Sequence, residues 1–446
     1  MFGHKMKNHR SLARKRGKPL GLLELVAIAL GGMVGGGIFT ILGISVSLIG
    51  VYTPVAIAIG GFIAALAAYS YIQLARYYQD EGATYSFFKK TFPRSHFAAS
   101  LIGWCITFGY IATIALYAYT FASYAISGSA YADNVLVRKL VAGGIITAFA
   151  LINIWSVIGM GKLEDLMVYT KLVILVVISF VLINNSGTTI PTLITDTGPV
   201  SMYAILIAAS LTFVAFEGFQ LVIHATNEMD DPQKNIPRAI YTAIGLAIAI
   251  YVVIDFGALL AIPFGDIIEN QEYALASGAG NVLGHWGTDL VILGAVLATC
   301  SAISGTLFGA SRLMAVIATD GYFPAPLAIR RNHIPVAAII AMSATAMVLI
   351  AVGNLRVILE FGSMTFMLVS FLMAVANFRI RDKTKSSTAV TLLALIALAG
   401  GGILIIAYEF SFQPEQILFM VGLYAALMVG SFIYARLAHL RRQSSA

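Results

Sequence analysis

Charge is what this sequence has least of. Asp, Glu, Lys and Arg together make up 11% of its 446 residues, and 59% are hydrophobic. A soluble globular chain carries about 25% charged residues. The balance excludes an ordinary soluble domain and predicts an all-α polytopic membrane protein. Cysteine is nearly absent too. Cys105 and Cys300 both fall inside apolar runs, which excludes a disulfide framework. The histidines are scattered (His4, His9, His96, His224, His285, His333 and His439), with no H-E-x-x-H motif, and no G-x-S-x-G motif occurs. No thiolate–histidine pairing is evident either, so an intramembrane enzyme is disfavoured, and no metal or other cofactor is called for.

What the chain has in quantity is long apolar runs. A helical span needs about 20 mostly apolar residues. Twelve runs qualify, near 21–49, 52–78, 97–127, 137–158, 164–184, 201–226, 237–262, 287–317, 334–353, 356–378, 388–409 and 414–437. Connections are short, apart from an amphipathic stretch around Asp80–Phe97 and a polar one around Pro263–Gly284. The N-terminal run is too long for a signal peptide and lacks a small-residue cleavage site, so it reads as span one. Lys and Arg fix the orientation. Of 28, 24 fall on the side of the two tails, three (Arg138, Lys139 and Arg356) fall opposite, and Lys171 lies within a span. Basic loops stay inside, so both termini are expected in the cytoplasm of a cell-membrane protein. The net charge of +7 is this topology signal and needs no nucleic-acid partner.

The first span is interrupted. Five of the first seven residues of GGMVGGGIF (31–39) are glycine. Glycines in membrane helices also serve close packing, and Gly31/Gly35 and Gly32/Gly36 have that spacing. Packing, however, needs glycine on one face, and these positions spread around most of the helix. Their summed propensity cost, about 4–5 kcal/mol relative to alanine, favours a break. A broken helix exposes backbone groups that lipid cannot satisfy unless they line a cavity or bind something. The N–H groups of Gly36, Gly37 and Ile38 would open a second half-helix, an anion site reinforced by its dipole. The carbonyls ending the first half, near Met33, would draw a cation. The sixth run carries a matching interruption at FVAFEGFQ (213–220), where Glu217 and Gly218 follow Phe213 and Phe216. Blocks 21–184 and 201–378 have similar lengths and an odd number of spans each, so the second is expected inverted on the first. Paired breaks in inverted halves mark a transporter's binding site. A ligand with one negative and one positive end suits the two sets of backbone groups, and an α-amino acid is the obvious candidate.

Four motifs then carry a resemblance. GGMVGGGIF, EGATYSFFKKTFP (81–93), FEGFQLVIHATNEMDDPQKNIPRAI (216–240) and SAISGTLFGASRLMAVIATDGYFP (301–324) occur in that order. They resemble the first-span G-[SAG]-G-I-F signature, the segment after span two, the span-six exit and the span-eight exit of the amino acid–polyamine–organocation (APC) superfamily of permeases. The resemblance implies a five-plus-five inverted repeat of the leucine-transporter type, formed by 21–184 and 201–378. Two further spans would follow at 388–437, between cytoplasmic tails at 1–20 and 438–446. It implies alternating-access transport of amino acids or related amines. The substrate carboxylate would meet Gly36 and Gly37, and its amino group the carbonyls near Met33 and around Phe213–Glu217. Substrate-lining residues would thus be Met33, Gly35, Gly36, Gly37, Ile38, Phe213, Phe216, Glu217 and Gly218. Many relatives carry serine where this chain has Gly36, so a hydroxyl contact is absent, and room for a larger ligand group or a water is expected.

Charges inside spans raise separate questions. Lys171, in YTKLVIL, either snorkels to the cytoplasmic interface or turns inward. The resemblance implies the second, because proton-coupled relatives place a lysine where sodium-coupled ones hold Na⁺. Its ammonium would bridge span one and span eight at Ser301 and Ser304, giving proton coupling without sodium. Glu217 is read first as a cap for the orphaned N–H groups of the broken helix, and second as a substrate or proton group. Phe213 or Phe216 is a candidate gate. Asp255 is expected to pair with a polar neighbour, and Glu360 with Arg356 one turn away. Asn235-Ile-Pro237 reads as the cap and first-turn proline of span seven. A polyamine or amine transporter, an amino acid exchanger and a membrane nutrient sensor stay open as alternatives, while a channel fits two interrupted spans less well. Oligomeric state is not legible.

Overall fold

The computed structural model describes residues 19–444, apart from Glu81, Ser156, Ser186, Asn332 and His333, with backbone alone for 157–165, Asp196, Leu283 and 441–444. The basic tail at 1–20 therefore lies outside the described residues except for its last two, as do 445–446 of the other tail. Among the described residues the chain is all-helical, with two isolated bridges and no strand.

The first run splits into α1 (Leu22–Met33) and α2 (Gly37–Ile49), and Gly50 at φ 54 ends it. Then come α3 (Thr53–Tyr78), α4 (Ala83–Thr91), α5 (His96–Ile126), α6 (Val135–Trp155) and α7 (Val157–Asn184), and a connecting α8 (Ile190–Thr197). The second interrupted run is α9 (Met202–Leu211), a 3-10 turn (Thr212–Phe216) and a single α-turn, α10 (Leu221–His224). It leads to α11 (Pro232–Ala261), the short α12 (Phe264–Glu269) and α13 (Ala274–Leu283), then α14 (His285–Thr319), α15 (Val336–Val352) and α16 (Leu355–Arg379). A single turn, α17 (Arg381–Thr384), precedes α18 (Thr388–Phe412) and α19 (Pro414–Ser444). Among the described residues, ten stretches are long and apolar enough to cross a membrane, the first of which joins α2 to α3, and α1 and α15 are shorter apolar helices.

Local chemistry sets several starts. Ser95, Ser201, Asn354 and Ser387 each accept a backbone N–H three residues on, capping α5, α9, α16 and α18. One expected start is corrected. α11 begins at Pro232, five residues before Pro237, because Pro232 itself supplies the fixed φ of a first helical turn. Asn235 is inside the helix and donates its amide to the Asp230 carbonyl at 2.6 Å, and Pro237 is interior.

α5 packs against α14 and α16, and α11 against α3, α1 and α7. The two broken runs are enclosed among them. Close approach rests on small residues. A Cβ on Gly60 of α3 would lie 2.2 Å from Thr212 Oγ1, and one on Gly43 of α2 would lie 2.2 Å from the Gln271 carbonyl. The periphery is apolar instead of charged. Trp155, Phe410, Leu418 and Ile396 are 91%, 75%, 73% and 69% exposed. Such a surface suits lipid and would be a liability in water. The amphipathic stretch after α3 forms α4, which buries Tyr85, Phe87 and Phe88 and joins the end of α14: Lys89 Nζ and Tyr85 Oη both reach Asp320 Oδ2 at 2.6 Å.

In the turn before α4, Asp80 accepts from Gly82 N–H and Ser86 Oγ, both at 2.7 Å, and pairs with Lys90. Partial burial opposes its charge, but these donors outweigh burial and hold the carboxyl below its ordinary value. A carboxyl shifted down stabilises the fold above its unfolded value, about pH 3.9, and the benefit is lost as pH falls through the folded value. Asp80→Asn should therefore melt lower than wild type at neutral pH, by about 1 kcal/mol or less for so exposed a pair. The difference should vanish on acidification in a thermal melt of the detergent-solubilised protein.

Candidate functional site

The two interruptions meet. Gly218 has φ 124, and a Cβ there would fall 2.5 Å from the Gly32 carbonyl carbon and 2.7 Å from the Met33 nitrogen. A Cβ on Gly37 would lie 3.1 Å from Ala215 Cβ and 3.2 Å from its Cα. Backbone lies directly on backbone, and the two segments run in opposite senses: 32 faces 218, and 37 faces 215. Met33 to Ile38 are all buried, as are Phe213, Phe216, Glu217 and Gly218, so the expected lining residues are gathered in one sealed region.

The carbonyl end of the first break is fully engaged. Leu30 C=O accepts the Val34 N–H at 2.8 Å, and Gly31 C=O accepts Lys171 Nζ at 3.0 Å. Gly32 C=O takes the Tyr117 hydroxyl at 3.4 Å. Met33 C=O takes both the Gly35 N–H at 2.9 Å and the Tyr251 hydroxyl at 2.7 Å. Three helices thus cap the last turn of α1, and the expected bare carbonyls near Met33 are not bare. Gly35 spends its N–H within the break. The amide end differs. The first ladder bond of α2 runs from Thr40 N–H to Gly36 C=O at 3.2 Å, and the N–H groups of Gly37, Ile38 and Phe39 stand ahead of it. The positive end of a 13-residue helix is thereby aimed at the junction.

Gly36 does not leave the expected room. A Cβ there would lie 3.1 Å from Thr120, Thr299 and Tyr117. These neighbours close in because Thr40 Oγ1 and Thr120 Oγ1 are hydrogen-bonded at 2.7 Å, tying α2 to α5.

In the second break, Glu217 is extended (φ −71, ψ 140), so its carbonyl turns out of the helical ladder. It does not cap the amides. Its Oε2 accepts Gln220 Nε2 at 2.7 Å, and Gln220 Oε1 accepts the Gly218 N–H at 3.1 Å. Gln220 is the cap: its amide oxygen takes the Gly218 N–H while its amide nitrogen donates to Glu217. Glu217 Oε1 finds no donor among the described residues. The phenylalanines pack on aromatic neighbours: Phe216 on Tyr251 and Phe219 on Tyr71, each with centroids 5.3 Å apart.

Lys171 turns inward. It is fully buried, and its Nζ bridges Gly31 C=O on α1 and Ser301 Oγ on α14 at 2.8 Å. Ser301 donates onward to Ala298 C=O, and Ser304, one turn along the same face, is buried as well. Glu360 pairs with Arg356 at 2.8 Å, as its spacing predicts. Asp255 departs from expectation: neither carboxylate oxygen has a hydrogen-bond partner among the described residues.

Sequence reading missed Tyr251, whose hydroxyl joins the Met33 carbonyl to the Ala215 carbonyl at 3.0 Å and so ties both breaks together. The signal was a lone tyrosine in AIYVVID, deep in an apolar helix, whose hydroxyl needs a partner there.

Comparison with known proteins agrees with this architecture. The signature of the family described as amino acid permease matches residues 20–439. The chain belongs to that family. It is similar to the inner membrane transport protein YbaT of Escherichia coli, with 30% identity over 86% of this chain and 89% of the relative. It is also similar to a protein of Methanocaldococcus jannaschii, with 24% identity over 94% of this chain and 96% of that one. A third similarity is to a transporter of Mycobacterium tuberculosis, with 29% identity over 77% of this chain and 76% of the relative. This permease is accordingly a multi-pass membrane transporter and not an enzyme.

Tyr251→Phe removes one hydroxyl while keeping the ring on Phe216. Leaving the Met33 and Ala215 carbonyls short of a donor should lower unfolding stability by about 1–3 kcal/mol, read from melts of the purified permease. Wild-type stability in this variant would show that the two breaks hold together without it.

Proposed function

We propose that this permease is a secondary active amino acid transporter that works by alternating access and is coupled to protons. The observation that carries the reading is the meeting of two interrupted helices, with the amides of α2 uncapped and aimed at their junction. The substrate carboxylate binds the N–H groups of Gly36, Gly37 and Ile38 through backbone alone, since no side-chain hydroxyl stands at Gly36. The ammonium goes where the Met33 and Ala215 carbonyls converge, the point now held by the Tyr251 hydroxyl, and to the carbonyls of the Phe213–Glu217 segment. The remaining lining comes from Gly35, Gly218 and Phe216, with Phe213 or Phe216 as the gate.

Lys171 carries the coupling proton. Protonated, it binds α1 to α14 through Gly31 and Ser301, with Ser304 one turn along. Deprotonated, it loses the charge that strengthens those bonds, and the two helices can part. The opposed sense of the two breaks supports a five-plus-five inverted repeat over 21–184 and 201–378, with twelve spans in all. The distribution of Lys and Arg supports cytoplasmic termini in the cell membrane.

Uptake into proteoliposomes tests this reading. Gly36→Val and Gly37→Val should abolish uptake, because a branched side chain crowds the anion site against Thr120, Thr299 and Ala215. Lys171→Ala should remove the pH dependence of uptake, and replacing Na⁺ with K⁺ should leave the wild-type rate unchanged. A sodium requirement would refute the coupling, and uptake by the valine variants would refute the site. Counterflow of labelled amino acid, which neither a sensor nor a channel gives, separates transport from those alternatives. A thermal-shift screen of the twenty amino acids then identifies the substrate.

A further inference from the structure

Lys171 and Glu217 are not the only ionisable groups enclosed by the bundle. Glu360 lies in the second turn of α16 and Glu409 in the last turn of α18, and both are 0% exposed. α16 and α18 pack together. Arg356 donates its Nε to Glu360 Oε1 at 2.8 Å and its Nη2 to the Tyr408 hydroxyl at 2.5 Å. Three carboxylate oxygens are then left over. Glu360 Oε2 and both oxygens of Glu409 have no donor among the described residues. Glu409 follows Tyr408 on α18, so it sits at the same seam as Arg356, beside the carboxyl group of Glu360. Two carboxylates are both acceptors, so they bond to each other only if one of them carries a proton.

The charge balance points the same way. Two carboxylates against one guanidinium leave a net negative charge in a site closed to solvent, and like charges so close do not both stay ionised. One proton brings the set to neutrality and supplies the missing donor. Few other groups bear on the set. α16 and α18 also pack on α3, α5, α9, α15, α19 and the 212–216 turn, and α4 and α17 lie by the far end of α16. α9 and α15 contain no charged residue, and Arg76 of α3 and His96 of α5 lie at the opposite ends of their helices. α19 opens with Glu415, which is exposed, and its Tyr424 hydroxyl is spent on Thr365 at 2.8 Å.

We propose that Glu360 and Glu409 form a proton-binding site between α16 and α18, holding one proton between their carboxyl groups, apart from Lys171 and from the helix breaks. The proton comes from water and converts one carboxylate into a carboxylic acid that donates to the other. Arg356 and Tyr408 orient Glu360 from its far side. Losing the proton sets two carboxylates against each other across the helix interface.

Infrared spectroscopy of the reconstituted full-length permease at neutral pH tests this. The wild-type spectrum minus that of Glu409→Gln should show the carbonyl stretch of one protonated carboxylic acid, shifted in D₂O. Glu360→Gln should lose the same band, because Glu409 can then ionise against Arg356. In Glu409→Gln the new amide donates to Glu360 Oε2, so this variant should melt no lower than wild type. Lys171→Ala should keep the band, so failure of the proposed transport coupling would leave this result standing. If neither glutamine variant loses a protonated-acid band, the pair does not hold a proton and the proposal falls.

Discussion

Everything central to this permease follows from one constraint: a helix interrupted in a low-dielectric interior has to find partners for the backbone groups it releases. The break at 34–36 releases carbonyls from α1 and amides from α2. The carbonyls are met by the protein itself. Lys171 arrives from α7, Tyr117 from α5 and Tyr251 from α11, each aimed at a different carbonyl of the last turn. The amides of α2 have no such ring of side chains. This asymmetry gives the junction a polarity before any ligand arrives. Its electron-rich groups are tied down as structure, while its amide end carries no side-chain cap among the described residues.

Contact between the breaks is a second consequence. Gly32 and Gly218 touch without side chains, and only glycine serves at 218, where a positive φ and a neighbouring backbone both exclude a Cβ. Tyr251 then spans the contact and bonds to both segments. Motion of one broken run is therefore felt directly by the other. Lys171 fastens α1 to α14 at Gly31, so the same carbonyl-rich end is held to α5, α7, α11 and α14.

Much of this was legible in the sequence because it rests on local composition. Five glycines in seven residues announce a break whatever surrounds them, and the apolar runs place most helices to within a few residues, α7 and α19 each extending seven beyond their runs. The apolar run left Lys171 open between snorkelling and burial, and it was the resemblance that pointed inward. What escaped was set by packing across the bundle. The bareness of the Met33 carbonyl could not be judged without knowing that Tyr251, 218 residues away, would reach it. The space at Gly36 depended on Tyr117, Thr120 and Thr299, which belong to other helices. The capping role passed from Glu217 to Gln220, three residues on, because only the turn's geometry shows which side chain faces the Gly218 amide. The start of α11 was missed for a local reason, since two prolines compete there and the earlier one wins.

The caps on α1 also impose an order on biogenesis. The broken first run leaves the ribosome before any group that satisfies it exists. Tyr117 follows the carbonyl it serves by 85 residues, Lys171 by 140 and Tyr251 by 218. The nascent first half-helix thus has to stay where water or the insertion machinery can solvate its end, and it settles into lipid only as each later span delivers its donor. The permease completes its own first helix last.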